Sequence, residues 1–251
     1  HSANKANALV NNNINDAVLE ITLSGPKLEF CCDTIISLVG ADMSPQLNNT
    51  AVLMNSIIPI TKGDILSFGK LQYGCRCYLA VKGGVQTKLV MKSRSMYKGI
   101  TSSFRIEKHD ELKISVNATS FKSAHASLKI DSDHYKTQDI DVYKGPEFDF
   151  LTIAEQDQLL SSSFTIAKEN SRMAYQLKEP LPNNLDQIIT SLVLPGTVQL
   201  TPSGKLIVLM RDCQTTGGYP RVLQLSEGAI NRLAQKFTND TIGFKLINQT
   251  I

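Results

Sequence analysis

The chain has 251 residues, 42% of them hydrophobic and 20% charged, with a formal net charge of +3. That apolar share suits one large β domain or two smaller ones, and the weak charge argues against nucleic acid or an anionic membrane as a partner. No apolar run approaches membrane-spanning length, no signal-peptide pattern opens the sequence, and His1 is not an initiator methionine.

Taken in order, residues 3–13 predict a short helix, rich in alanine and ended by asparagines. Strands are predicted at 17–23, 28–32 and 35–39, the first two separated by the turn Ser24-Gly25-Pro26. Gly40-Ala41-Asp42-Met43-Ser44-Pro45 then predicts a loop with one acidic residue. Asp42 is either a ligand-binding carboxylate or a loop carboxylate that caps nearby backbone N–H groups, and locally the second is favoured. Lys62-Gly63-Asp64 turns into a strand at 65–68, and a further strand runs over 75–82 to Gly83-Gly84. Cys75 and Cys77 share one face of that strand, as buried thiols rather than half of a metal site. Ser93-Arg94-Ser95 suits an anion or, equally, ordinary exposed partners. Met91-Lys92-Ser93 lacks the second methionine of a biotin-acceptor Met-Lys-Met, so Lys92 is not read as biotinylated.

Residues 117–146 are more polar, and 131–136 (DSDHYK) is the most loop-like piece. The join between a first β subdomain, 1–130, and a second, 131–251, is placed there. Gly145-Pro146 opens the second half. Thr152 followed by Glu155 has the spacing of a helix capping box and predicts a helix over 152–160. Strands follow at 164–166, after Ser171-Arg172-Met173-Ala174-Tyr175, and over 192–200 with a turn at Pro195-Gly196. Ser226 predicts the cap of a last helix, and 241–247 a closing strand.

Between these lies the stretch around which the chain is organised, LIVLMRDCQTTGGYP from Leu206 to Pro220. An apolar strand ends abruptly in Arg211, Asp212, Gln214, Thr215 and Thr216, then Gly217-Gly218 and Tyr219-Pro220. A strand fixes position, and glycines let backbone approach a ligand closely. A tight turn with solvated polar residues is the plainer reading and is slightly favoured by composition alone.

The cysteines number five, an odd count without a CxxC pair, which points to a reducing cytoplasm. The four histidines are scattered away from zinc-ligand spacing, so no metal is expected. No phosphate-loop, nucleophile-elbow, HExxH or GxGxxG motif occurs. Many short strands with Gly/Pro turns and few helices predict a mainly-β fold, barrel-like or sandwich-like.

Seven stretches in order resemble one family: the Gly40–Pro45 segment, GCRCYLAVKGG from Gly74 to Gly84, Ser93-Arg94-Ser95-Met96-Tyr97, Gly145-Pro146 with Asp149, Ser171-Arg172-Met173-Ala174-Tyr175, Pro195-Gly196-Thr197-Val198-Gln199, and QTTGGYP from Gln214 to Pro220. The family is that of allophanate hydrolase subunit 2, also called KipA-like or the 5-oxoprolinase C subunit. It is similar to half of the carboxyltransferase domain of biotin-dependent urea carboxylase. The resemblance implies a cyclophilin-like β-barrel architecture. Its members carry a further strand and a Gln-Asp-x-Gly-Arg loop ahead of the position matching His1, and a longer, more glycine-rich segment after Tyr97.

The resemblance also implies a subunit of an ATP-dependent complex that opens 5-oxo-L-proline to L-glutamate. Its partners would be a subunit-1 or KipI-like protein and a large lactam-binding subunit. No cofactor would be covalently bound, and ATP would be used on a partner. A second reading is carboxyl transfer from carboxybiotin to urea, although no biotin-carboxylase or biotin-carrier segment is visible. A third is a regulator that binds a KipI-like inhibitor of a histidine kinase. Either chemistry acts on a planar amide or ureido group, and needs donors for an oxygen gaining charge and a group for the N–H proton. Gln214, Thr215 and the Gly217-Gly218 N–H groups are the expected donors, with Thr216 and Tyr219 beside them. Asp212 or Asp42 is the expected proton acceptor. Arg172 and Arg211 suit a carboxylate or carboxybiotin, and Gln199 an amide edge.

Overall fold

The computed structural model describes residues 1–115 and 133–248 and divides the chain into two compact units, His1–Asp131 and Ser132–Ile251. The first holds α1 (Ser2–Leu9) and eight strands: β1 (Leu19–Thr22), β2 (Leu28–Glu29), β3 (Thr34–Asp42), β4 (Pro45–Leu47), β5 (Thr50–Ala51), β6 (Ile57–Ile60), β7 (Ile65–Phe68) and β8 (Tyr73–Val81). They form two four-stranded sheets, ordered β1-β8-β3-β6 and β2-β7-β4-β5. The alternating apolar residues of β3 and β8 supply the core, with Ile36, Leu38, Cys77 and Leu79 packed together. Ala6, Leu9 and Val10 of the helical end cover Val39 and Ala80 on the other face.

Two expectations change here, and one left open is decided. The strand expected to stop at 39 runs on through Asp42, because Gly40 at φ 119° takes up a bulge and pairing with β8 resumes at Asp42 and Tyr73. A β-carbon at Gly40 would lie 2.3 Å from the Arg76 carbonyl oxygen, so glycine is required for this approach. Arg94 takes the ordinary-partner alternative, donating to the Thr87 carbonyl. Within the loop-like 131–136, residues 133–136 form a helical turn, α2 (Asp133–Lys136), which Lys236 ties down by donating from Nζ to the Tyr135 carbonyl at 2.8 Å. The rest of the expected join, 116–132, lies outside the described residues. Cys75 and Cys77 are buried, and burial pushes the Cys77 thiol up to about 12.

The second unit continues with β9 (Asp139–Lys144), a 3-10 turn Phe148–Phe150, α3 (Ile153–Ser161), β10 (Ser163–Asn170), β11 (Ala174–Leu177), β12 (Ser191–Leu192), β13 (Thr197–Leu200), β14 (Leu206–Leu209), β15 (Thr216–Gly217), β16 (Arg221–Leu225), α4 (Glu227–Leu233) and β17 (Thr241–Leu246). Seven of these strands close a barrel in the order β10-β11-β14-β13-β16-β9-β17. Its neighbours pair antiparallel except β17 with β9. Closure leaves no open sheet edge in the barrel. Ile140, Val142, Phe164, Ile166, Tyr175, Val198, Leu200 and Val208 fill the interior. Both expected caps form: Thr152 and Glu155 make a reciprocal capping box on α3, and Ser226 Oγ accepts from Ala229 N on α4. The mainly-β expectation holds.

Side-chain alternation on β13 sets the position of Gln199. Val198 and Leu200 point into the barrel, so Thr197 and Gln199 lie on its outer face. All four are nevertheless buried, because the segment 188–194 and the loop 214–220 cover that face.

Candidate functional site

The cover is a small flap. Ser191 pairs with Gly217 and Leu192 with Thr216, and Val193 N donates to Thr215 O at 3.1 Å and Ile188 N to Gly218 O at 3.0 Å. Beneath it Gln199 is 2% exposed, and its amide nitrogen has no hydrogen-bond partner among the described residues. A β-carbon at Gly217 would sit 2.4 Å from that nitrogen. The amide therefore lies directly against the glycine, in space that any side chain would take. Opposite it the β13–β16 ladder shifts register: Val198 faces Leu223, but Gln199 faces Arg221, so β16 carries one extra residue. Bulges of this kind re-aim side chains beside functional sites.

The neighbouring Gln224 shows what a structural glutamine does here. Its Oε1 accepts from Thr197 Oγ1 at 2.9 Å, and its Nε2 donates to Pro195 O at 2.9 Å. Both ends of the amide are satisfied, and the turn Pro195-Gly196 is fixed by it. A buried amide donor left unpaired costs about 1–3 kcal/mol. Gln199 is the exception on the same face.

The other expected residues divide into pairs and exposed positions. Arg172 and Asp212 are brought together, Nε to Oδ2 at 2.7 Å and Nη2 to Oδ1 at 3.2 Å, and Asp212 N donates to Arg172 O at 2.9 Å. They bind each other, so a carboxylate clamp at Arg172 or a proton acceptor at Asp212 needs this pair to open. Arg211 turns to Glu227 and Asn231 on α4 and is occupied there. Gln214, Thr215 and Thr216 are exposed, while Gly217, Gly218 and Tyr219 are half-buried. Asp42 belongs to the first unit, where its Oδ1 accepts from Ser44 N at 2.8 Å. That is the backbone-capping role.

Sequence reasoning missed Glu147 and Arg221. Arg221 donates from Nε to Glu147 Oε2 at 3.0 Å and from Nη2 to Oε1 at 2.7 Å. Its Nη1 reaches Leu192 O on the flap at 3.1 Å. Asp149, part of the resembling stretch, is exposed and pairs with Lys144 at 2.9 Å. The signal that could have found the missed pair is position: Glu147 follows Gly145-Pro146, and Arg221 follows Tyr219-Pro220.

Burial pushes the Glu147 carboxyl up, but hydrogen bonds from the Arg221 side chain and backbone, with the guanidinium charge, outweigh it and hold the acid below its ordinary value. The Glu147 hydrogen bond raises Arg221 in turn. A depressed acid stabilises the fold fully above its unfolded value, and that stabilisation is lost as pH falls through the lower folded value. Denaturation midpoints taken between about pH 6 and about pH 3.5 are therefore expected to fall less in Glu147→Gln than in the parent chain. Equal acid sensitivity in the two proteins would contradict the pairing.

Known proteins share this architecture. Residues 1–246 match the family model described as "Carboxyltransferase domain, subdomain A and B". The chain is 34% identical over 236 residues to the C subunit of 5-oxoprolinase from Escherichia coli (strain K12), covering 92% of this chain and 75% of that protein. It is 38% identical over 97 residues to urea amidolyase of Lachancea kluyveri, covering 39% of this chain and 5% of that one. The crystal structure of TTHA0988 shares the fold, with a TM-score of 0.85 at 24% identity, over 97% of this chain. This chain spans 48% of that solved chain, about half its length.

Proposed function

The chain belongs to the family of carboxyltransferase domains, subdomains A and B, and from that premise we propose that it is the amide-binding subunit of an ATP-dependent complex hydrolysing 5-oxo-L-proline to L-glutamate. The observation that carries this reading is the buried amide nitrogen of Gln199 against Gly217, without a hydrogen-bond partner among the described residues. The similarity to the 5-oxoprolinase C subunit selects the lactam among planar amides.

In this reading Gln199 Nε2 donates to the lactam carbonyl oxygen. As the carbonyl is attacked, that oxygen gains negative charge, and a donor fixed in a water-poor setting stabilises it strongly. The flap keeps bulk water from the donor, which strengthens the interaction. Asp212 takes or orients the lactam N–H when its pair with Arg172 opens. ATP is used on a partner, a subunit-1-like protein or a large lactam-binding subunit. The five cysteines are free thiols, which suits a cytoplasmic setting. Among the described residues no helix is long and apolar enough to cross a membrane.

A second reading rests on the similarity to urea amidolyase. The same donor fits the carbonyl of urea or of the biotin ureido ring, the group that would carry the carboxyl. Reconstitution separates the two. The full-length protein, its subunit-1 partner and the large subunit are assayed for ATP hydrolysis and glutamate release with 5-oxoproline, and the protein with its subunit-1 partner is assayed in parallel for carboxyl transfer from added carboxybiotin to urea. Turnover that needs both this chain and 5-oxoproline is expected. A stable complex inactive on 5-oxoproline would overturn the first reading, and activity on urea would replace it with the second.

A further inference from the structure

The flap is too small to stand alone. It has two residue pairs, and isolated two-stranded ribbons are marginal in water. Its large side chains do not anchor it, since Ile189 is 95%, Leu192 73% and Leu194 65% exposed. Val193 is the buried apolar contact of this strand. Among the described residues, two side chains from the barrel tie its backbone: Thr197 Oγ1 accepts from Leu194 N at 3.1 Å, and Arg221 Nη1 donates to Leu192 O at 3.1 Å. Only the second acts on the paired strand itself.

Arg221 is suited to that task because the rest of its guanidinium is fixed. Glu147 takes Nε and Nη2 in a two-point fork and also accepts from Arg221 N at 2.8 Å. Glu147 N donates back to Arg221 O at 3.2 Å. The third guanidinium nitrogen is then aimed along one direction, toward Leu192. A planar fork can satisfy a carboxylate and a carbonyl at once, whereas a lysine ammonium acts as a single point charge.

We propose that Arg221, anchored by Glu147, is a positioning residue that latches the flap closed over Gln199 and so sets how firmly the amide substrate is held. The flap part of this inference stands on geometry alone, and the substrate part rests on the function proposed above. A substrate that binds only under the closed flap sees an apparent affinity reduced by the closed fraction. Loosening the latch therefore raises KM and leaves kcat nearly unchanged.

The test uses Arg221→Lys, which keeps the charge beside Glu147 and removes the reach to Leu192. Amide hydrogen exchange on the full chain is expected to accelerate about tenfold at Ile188 and Val193, with barrel amides such as Ile166, bonded to Asp240 O, unchanged. In the reconstituted complex, KM for 5-oxoproline is expected to rise about tenfold with kcat within about threefold of the parent. Glu147→Gln, which weakens the anchor but keeps its shape, is expected to show the same pattern at smaller size. Flap exchange unchanged in both variants overturns the latch. So does acceleration spread evenly over all amides, since that reports global destabilisation. Selective flap opening combined with full activity of Gln199→Met would keep the latch and remove the proposed function.

Discussion

Gly145→Ala is expected to destabilise the barrel unit by about 3 kcal/mol, among the largest single-site effects in the chain. A β-carbon there would lie 2.1 Å from the Arg221 carbonyl oxygen and 2.8 Å from the carbonyl carbons of Arg221 and Val222. All three are backbone atoms of β16, so no side chain can swing aside. Relief requires the chain at 145–147 to move off the strand. That movement breaks Gly145 N to Val222 O at 2.9 Å and Glu147 N to Arg221 O at 3.2 Å, and carries Glu147 away from the Arg221 guanidinium. Gly145 does not hold a positive φ, so the effect is one of space and not of backbone preference. Gly63→Ala is the matched control. It has φ +93° and nothing within 4 Å of the added carbon, so only the conformational cost of about 1–2 kcal/mol applies. Chemical denaturation of the two variants measures the difference. A loss below about 1 kcal/mol at Gly145 would mean that the clamp on β16 yields freely.

How much of the fold is legible in the sequence depends on the range of the interactions involved. The capping box at Thr152 and Glu155 and the Ser226 cap are contacts over three residues, and both can be read directly. The apolar strands β14 and β17 can be read from composition within a few residues. The extension of β3 through Asp42 cannot, because it depends on a bulge against β8, whose partner residues lie more than thirty positions away. The turn α2 looks like loop because its anchor, Lys236, is 101 residues distant. The same limit governs the candidate site. A motif resemblance points to both Gln199 and Gly217, but spacing does not show that they touch. Glu147 and Arg221 are 74 residues apart, and nothing local links them. Arg172 and Asp212 look like ligand-facing groups, yet opposite charges on adjoining turns find each other first when each turn is half exposed.

Gln199→Met is expected to lower kcat/KM of the reconstituted complex about 100-fold while leaving the stability of the chain unchanged or slightly raised. The two halves of this expectation come from the same fact. Methionine fills nearly the same length as glutamine without a donor and with only a weakly accepting thioether. If Gln199 served the fold, its nitrogen would have a partner, as Gln224 has at Pro195 O and Thr197 Oγ1. Removing such a glutamine leaves those partners unsatisfied and destabilises the protein. Gln199 Nε2 has no partner to strand among the described residues, so its removal relieves a desolvated donor. A side chain that weakens the fold by being polar, and sits against a glycine with its donor unused, is explained by a ligand that completes the bond. Thermal or urea midpoints together with steady-state kinetics on 5-oxoproline separate the cases. Destabilisation with full activity would assign Gln199 to the fold. Loss of activity without loss of stability is the combination that only a ligand-facing donor produces. Gly217→Ala, whose added carbon would press on the same nitrogen at 2.4 Å, is expected to share that signature because it displaces the donor without deleting it.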